Sequence, residues 1–100
     1  MINLKPFINN HKATLLGLGP MSENSIRAVV QIANQAEIPT QMIASRRQID
    51  CKNNGGGYVG SFCTETFIPF VRGLDKKQMI MISRDPGGPW QNYAEIKNKL

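Results

Sequence analysis

Apolar residues follow two different patterns along this chain. Three short segments are almost uninterruptedly apolar, as in strands that are covered on both faces of a parallel sheet; they are residues 13–18, 41–44 and 79–82. Between them, apolar residues recur every three or four positions, which indicates helices with one buried face. The pattern therefore predicts the order β-α-β-α-β.

The first predicted helix has clear signals at both ends. Ser22 offers a hydroxyl to the free N–H groups of a helix start, and Pro39 prevents the helix from continuing. Its buried face is predicted to consist of Ile26, Val29, Val30 and Ala33.

The second predicted helix is less regular. Phe67, Phe70, Val71 and Leu74 share one face, but Pro69 suits only a first helical turn or a kink. Residues 93–100 predict the start of a third helix. Strands that alternate with helices and connect by right-handed crossovers form a parallel sheet, so the chain is predicted to have an α/β fold.

All loops that follow the strands of such a sheet lie at one edge, where α/β proteins place their ligand sites. Here they are residues 19–22, 45–60 and 83–92. The second loop carries polar groups suited to an anion, since a guanidinium pairs with phosphate and consecutive glycine N–H groups can surround it. The predicted phosphate or substrate ligands are Arg46, Arg47, Gln48, Gly55, Gly56 and Gly57. The alternative is a flexible surface loop.

The third loop begins with a carboxylate. Asp85 directly follows the third strand, where it could act as a catalytic base, although an Asp-Pro pair also simply starts turns. We interpret Trp90 in the same loop as a core residue rather than as a platform for a ligand.

The composition excludes several classes of protein. With 41% hydrophobic and 19% charged residues the chain is neither disordered nor, lacking a long apolar run, a membrane protein. No secretory signal is recognisable, so the expected location is the cytoplasm. The net charge of +5 comes from scattered residues, which predicts a basic surface and no nucleic-acid interface.

Other candidate chemistry is weak. Cys51 and Cys63 form no CxxC pair; free thiols are favoured over a disulfide, and the single histidine, His11, lies far from both. Gly17 and Gly19 lack the third glycine of a dinucleotide-binding loop. A small nucleotide-binding α/β domain remains as an alternative.

Several segments together resemble a known family. They are Gln48-Ile49-Asp50, then Gly56-Gly57-Tyr58-Val59-Gly60, then Phe67, Phe70-Val71 and Gly73, with His11-Lys12 before them and Asp85 and Gly87 after them. In this order they are similar to the first barrel units of the accessory, non-catalytic subunit of tagatose-bisphosphate aldolase.

The resemblance implies that residues 1–100 form a single partial domain, the N-terminal fragment of a (β/α)8 TIM barrel with about three of its strands. It further implies a sugar-phosphate ligand and assembly into homo- or hetero-oligomers with other barrel subunits. The wider class II aldolase group uses a divalent metal such as zinc, held by histidines.

Asp85 matches the catalytic acid/base of that group, but Pro86 stands where a histidine ligand is expected. We therefore predict no tightly bound cofactor and no aldolase activity for this chain alone. The alternative function is a non-enzymatic, truncated or assembling module.

Overall fold

The computed structural model describes residues 4–12, 14–91 and 95–97. Its helices are α1 (Leu4–His11), α2 (Glu23–Ala36) and α3 (Thr64–Leu74), and its strands are β1 (Leu16–Leu18), β2 (Thr40–Ala44) and β3 (Ile80–Arg84). The strands form one parallel sheet in the order β1-β2-β3. The predicted α/β fold with three parallel strands and intervening helices is confirmed. Of the third predicted helix, residues 95–97 are helical, and the rest lies outside the described residues.

Helix α2 begins and ends where the sequence predicts. The Ser22 hydroxyl accepts a hydrogen bond from the N–H of Ser25 at 3.1 Å, and the Ser25 hydroxyl accepts one from the N–H of Ser22 at 2.9 Å. Two of the free N–H groups at the helix start are thereby satisfied. The helix ends at Ala36, and the next residue, Glu37, adopts a left-handed conformation shortly before Pro39. Its buried residues are Ile26, Val30 and Ala33.

Helix α3 buries the predicted face but places its proline differently. Phe67 and Val71 are buried, whereas Pro69 is exposed in the second turn, because the helix already begins at Thr64. Pro69 has no N–H to donate to the carbonyl of Glu65. Both residues are exposed, so water can reach that carbonyl and the helix continues.

One face of the sheet is covered by both core helices. Burial along β2 alternates between buried and half-buried residues, so the prediction of strands covered on both faces is wrong. The reason is that α2 and α3 pack on the same side, where one core contains Ile26, Val30, Met42, Ala44, Phe67, Val71 and Ile80. On the other side the Gln41 amide donates a hydrogen bond to the Ser83 hydroxyl at 2.6 Å.

Strand β1 departs most from the prediction of a buried strand. It is only three residues long, and Leu16 and Leu18 are 57% and 36% exposed. β1 lies at the edge of the sheet, and the buried core comes from the other two strands, α2, α3 and the loop after β2.

Helix α1 was not predicted. Leu4, Phe7 and Ile8 have helical spacing, but none of the helix residues is buried. His11 closes the helix, with its Nδ1 2.9 Å from the carbonyl oxygen of Phe7 and its ring stacked on the Phe7 ring. Among the described helices, none has the length and apolar character needed to cross a membrane.

Candidate functional site

The loop after β2 folds around the buried side chain of Asp50. One carboxylate oxygen accepts a hydrogen bond from the N–H of Cys51 at 2.8 Å, and the other accepts two from the Arg46 guanidinium at 3.0 and 3.2 Å. The main chain of Asp50 bonds to the carbonyl of Gly56 and to the N–H of Thr64. The loop is therefore an organised structure, with one turn of 3-10 helix at Lys52–Asn54, rather than a flexible surface loop.

Arg46 joins this loop to the loop after β3. Its guanidinium also pairs with the carboxylate of Glu95 and donates to the carbonyl of Gly88 at 2.9 Å. The carboxylates of Glu95 and Asp50 raise the pKa of the Arg46 guanidinium, and its side chain is only 13% exposed. Its charge is thus balanced inside the protein. A phosphate at this predicted ligand would have to compete with two carboxylates.

Glu95 anchors the loop after β3 from the other side. The Arg46 guanidinium lowers the pKa of the Glu95 carboxyl, and the N–H of Trp90 donates to the same carboxylate at 2.5 Å. The main chain of Trp90 is thereby held, but its side chain is 44% exposed. The interpretation of Trp90 as a core residue is therefore wrong.

Arg47 differs from its neighbour in having an exposed side chain. Within the described residues its guanidinium has no ion-pair or hydrogen-bond partner. It borders a cleft of about 360 Å³. The cleft is lined by Arg46, Arg47, Asp50, Asn54, Gly57, Tyr58 and Gln91. Three predicted ligands, Arg46, Arg47 and Gly57, are thus brought together.

The three glycines shape the loop more than they offer N–H groups to a ligand. The N–H groups of Gly55 and Gly56 already donate to the carbonyls of Lys52 and Cys51. Gly57 has φ +87°, and a Cβ atom there would lie 2.3 Å from the carbonyl oxygen of Gln48. Only glycine fits this close approach. Among the described residues, the Gly57 N–H has no acceptor.

Gln48 lies outside the cleft and connects two loops. Its side-chain oxygen accepts a hydrogen bond from the N–H of Ser45 at 2.9 Å, and its side-chain nitrogen donates to the carbonyl of Pro20 at 3.4 Å. The structure thus gives Gln48 a role in holding the loop after β1 against the loop after β2.

Asp85 follows β3 at the predicted edge but does not line the cleft. Its side chain is exposed, and its main-chain N–H donates to the carbonyl of Ala44 at 3.4 Å. Within the described residues, the Asp85 carboxylate has no hydrogen-bond or ion-pair partner. Its predicted catalytic role thus stays a prediction that rests on position alone.

The residues near Asp85 do not fit the divalent metal that the aldolase resemblance implies. Pro86 has no side-chain donor atom, and His11 lies at the end of α1, where its Nδ1 already contacts the Phe7 carbonyl oxygen. In the part of the chain that the structure describes, no three His, Cys, Asp or Glu side chains cluster as metal ligands would.

One residue at this edge was missed by the sequence reasoning. Arg84 donates to the carbonyl of Ile49 at 2.6 Å and to the hydroxyl of Thr64 at 3.0 Å. It thereby connects the end of β3 to the start of α3. A charged residue directly after an apolar strand is the signal that could have revealed it.

A larger cleft, of about 500 Å³, lies between α2 and the segment before β3. The cations beside it are partly engaged, since Lys77 pairs with Glu37 at 3.0 Å and Arg27 lies over the ring of Phe70 at 4.9 Å. It contains none of the predicted ligands. The cleft beside Arg47 is therefore the stronger candidate site.

Comparison of this chain with protein-family models, with curated proteins and with solved structures found no match. The similarity of its loops to aldolase accessory subunits accordingly remains an expectation.

Proposed function

We propose that this chain forms the first βα units of a (β/α)8 TIM barrel. The proposal is supported by three sequentially ordered parallel strands with both core helices on one face. In a barrel the other face becomes the interior. That face carries the hydrogen-bonded Gln41 and Ser83 side chains and, at the positions paired with them, Met81 and Ile43. In a doubly wound nucleotide-binding sheet helices would cover this face as well, so the placement of both core helices on the opposite face favours the barrel.

We further propose that the cleft beside Arg47 binds the phosphate group of a small sugar phosphate. The observation that carries this proposal is the exposed Arg47 guanidinium, which has no partner within the described residues, at the carboxyl edge of the sheet. A guanidinium can donate two parallel hydrogen bonds to a phosphate. Asn54 and Gln91 line the same cleft; their amide nitrogens already donate to Asp50 and Pro89, and their amide oxygens can accept hydrogen bonds from sugar hydroxyl groups.

In this proposal the chain acts as an accessory, binding subunit and not as a complete aldolase. Class II aldolase chemistry needs a divalent cation held by ligands with lone pairs. Pro86 supplies none from its side chain, and the polar groups that line the cleft do not include Asp85. The role that remains for this edge of the sheet is to bind and position a phosphorylated ligand.

Titration followed by NMR tests the binding proposal. Inorganic phosphate and a ketose bisphosphate should shift the amide resonances of Gly57 and Tyr58, whereas the unphosphorylated ketose should not. Arg47→Met should weaken the affinity at least about tenfold, the usual loss for a hydrogen-bonded charge pair.

Arg72→Met is the matched control, because Arg72 is an exposed arginine of α3 outside the cleft. It removes the same charge and should leave the affinity within about twofold, as expected for a distant surface charge at physiological salt. Equal losses in both variants would mean that the ligand responds only to net charge, and the proposed site would be wrong.

A second proposed function, an alternative to closure of a barrel around β1, is assembly with other barrel subunits through this strand. The observation that favours it is the exposed edge strand with Leu16 and Leu18, since an uncovered edge is a template for pairing with another chain. Leu18→Lys should lower the self-association measured by sedimentation at least about tenfold. The control is Ile32→Lys, an equally drastic change on the exposed side of α2. A monomeric unmodified chain at high concentration would contradict assembly with copies of itself.

A further inference from the structure

The fold brings together the two backbone segments that carry Cys51 and Cys63, although twelve positions separate these residues in the sequence. Cys51 directly follows Asp50, and Cys63 directly precedes Thr64. The N–H of Thr64 donates to the carbonyl oxygen of Asp50 at 2.8 Å, so the two segments are joined next to both cysteines. The two hydrogen-bonded atoms lie only two bonds from the Cα atom of Cys63 and three bonds from the Cα atom of Cys51, respectively, so the two Cα atoms are close in space. Disulfides need a Cα separation of about 4.4–6.8 Å.

Gly56 provides a second, independent link between the same two residues. Its N–H donates to the carbonyl oxygen of Cys51 at 3.2 Å, and a Cβ atom placed on it would lie 3.5 Å from the Cβ of Cys63. Both cysteines therefore border one glycine that has no side chain to separate them. The next residue, Lys52, is also tied to α3, because its N–H donates to the Glu65 carboxylate at 3.0 Å.

We propose that Cys51 and Cys63 form a reversible intramolecular disulfide when the protein meets a small oxidised disulfide such as oxidised glutathione. Both residues are free thiols and half-buried, so a small reagent can reach them. One cysteine thiolate attacks the small disulfide and releases one glutathione thiol. The second cysteine then attacks the mixed disulfide and releases the other. Two protein S–H bonds are lost, two glutathione S–H bonds form, and the S–S bond moves into the protein.

The disulfide would constrain the segment that lines the cleft beside Arg47. The chain between the two cysteines contains Asn54, Gly57 and Tyr58, all of which line that cleft. Closing this segment covalently removes conformations of the unfolded chain and so stabilises the folded loop. The proposal does not depend on what the cleft binds.

Oxidation of the full chain in mixtures of oxidised and reduced glutathione tests the proposal. After alkylation of the remaining thiols, peptide mapping by mass spectrometry should find a Cys51–Cys63 cross-link in a monomeric chain that has lost two hydrogens. The ratio of cross-link to mixed disulfides should be at least about tenfold higher in native buffer than in concentrated urea, because only the folded loop holds the thiols together. The oxidised chain should also melt at a higher temperature than the reduced chain.

Cys51→Ser and Cys63→Ser are the matched variants. Each should stop at a mixed disulfide between glutathione and the remaining cysteine, and each should lose the gain in melting temperature. The proposal is overturned if the ratio in native buffer equals or falls below that in urea. It is likewise overturned if glutathione adducts on both cysteines or disulfide-linked dimers are the main products.

Discussion

Two buried carboxylates, Asp50 and Asp75, organise opposite edges of the same sheet with different partners. They are almost equally buried, at 5% and 6% exposure. Asp75 lies before β3 and accepts hydrogen bonds from neutral N–H groups, those of Met79, Ile80 and the Asn34 side chain. Asp50 lies after β2 and shares its charge with the Arg46 guanidinium.

The difference separates a structural role from a candidate functional one. Asp75 bonds to α2 and to the start of β3, and the groups around it are satisfied by each other. Asp50 and Glu95 instead neutralise Arg46, while the adjacent Arg47 is exposed at the cleft. The two carboxylates hardly differ in burial. They differ in the identity of their partners and in the presence of a nearby cleft.

The largest expected loss of stability comes from replacing Asp75, at the edge of the sheet before β3. Asp75→Ala leaves two buried main-chain N–H groups and the Asn34 amide without their acceptor, which should lower the free energy of unfolding by about 3 kcal/mol. Urea denaturation followed by circular dichroism measures this loss. Lys76→Ala, at the exposed neighbouring residue, should change the stability by less than about 0.5 kcal/mol. Similar losses in both variants would mean that the Asp75 hydrogen bonds do not organise this edge.

Glu95, at the carboxyl edge, is expected to contribute less to the free energy of unfolding, and its contribution should depend on pH. The Arg46 guanidinium lowers the pKa of Glu95, so the folded-state value lies below the unfolded value of about 4.3. The resulting stability is present above about pH 4.3 and is lost as the pH falls through the folded-state pKa. Melting curves between pH 7 and pH 3 should therefore show a smaller acid-induced loss for Glu95→Gln than for the unmodified chain.

Two further observations sharpen that comparison. The pKa of Glu65 is also lowered, by hydrogen bonds from its own main chain, the Cys63 thiol and the main chain of Lys52, so some acid sensitivity should persist in Glu95→Gln. Glu37→Gln removes the same charge at an exposed residue of the opposite edge and is the control. If Glu37→Gln flattens the pH dependence as much as Glu95→Gln does, the pairing with Arg46 is not its cause.

Much of the secondary structure could be predicted because its causes are local. The Ser22 cap, the Pro39 stop and the spacing of Ile26, Val30 and Ala33 determine α2 without reference to the rest of the chain. The exposure of β1 could not be predicted in this way. An apolar run indicates that burial of these residues is favourable. Whether another element covers them depends on where the helices pack.

The candidate site, too, could be predicted only in part from the sequence. The sequence pattern placed Arg46, Arg47 and Gly57 at the carboxyl edge of the sheet, and the structure gathers them around one cleft. It did not distinguish the two arginines, which are adjacent in the chain. The sequence pattern also did not predict the hydrogen bond between the Gln48 side chain and the Pro20 carbonyl. Contacts between separate loops depend on how the helices and strands pack.

The sequence by itself determined the α/β order, the buried faces of α2 and α3, and the edge at which the polar loops collect. These features follow from residue periodicity, capping and chain handedness, which act over a few positions or through general topology. Only the tertiary structure decided that Arg46 is neutralised and Arg47 is exposed. The deciding partner, Glu95, lies 49 residues from Arg46, and a hydrogen bond forms only when the fold brings its two atoms to within about 3 Å.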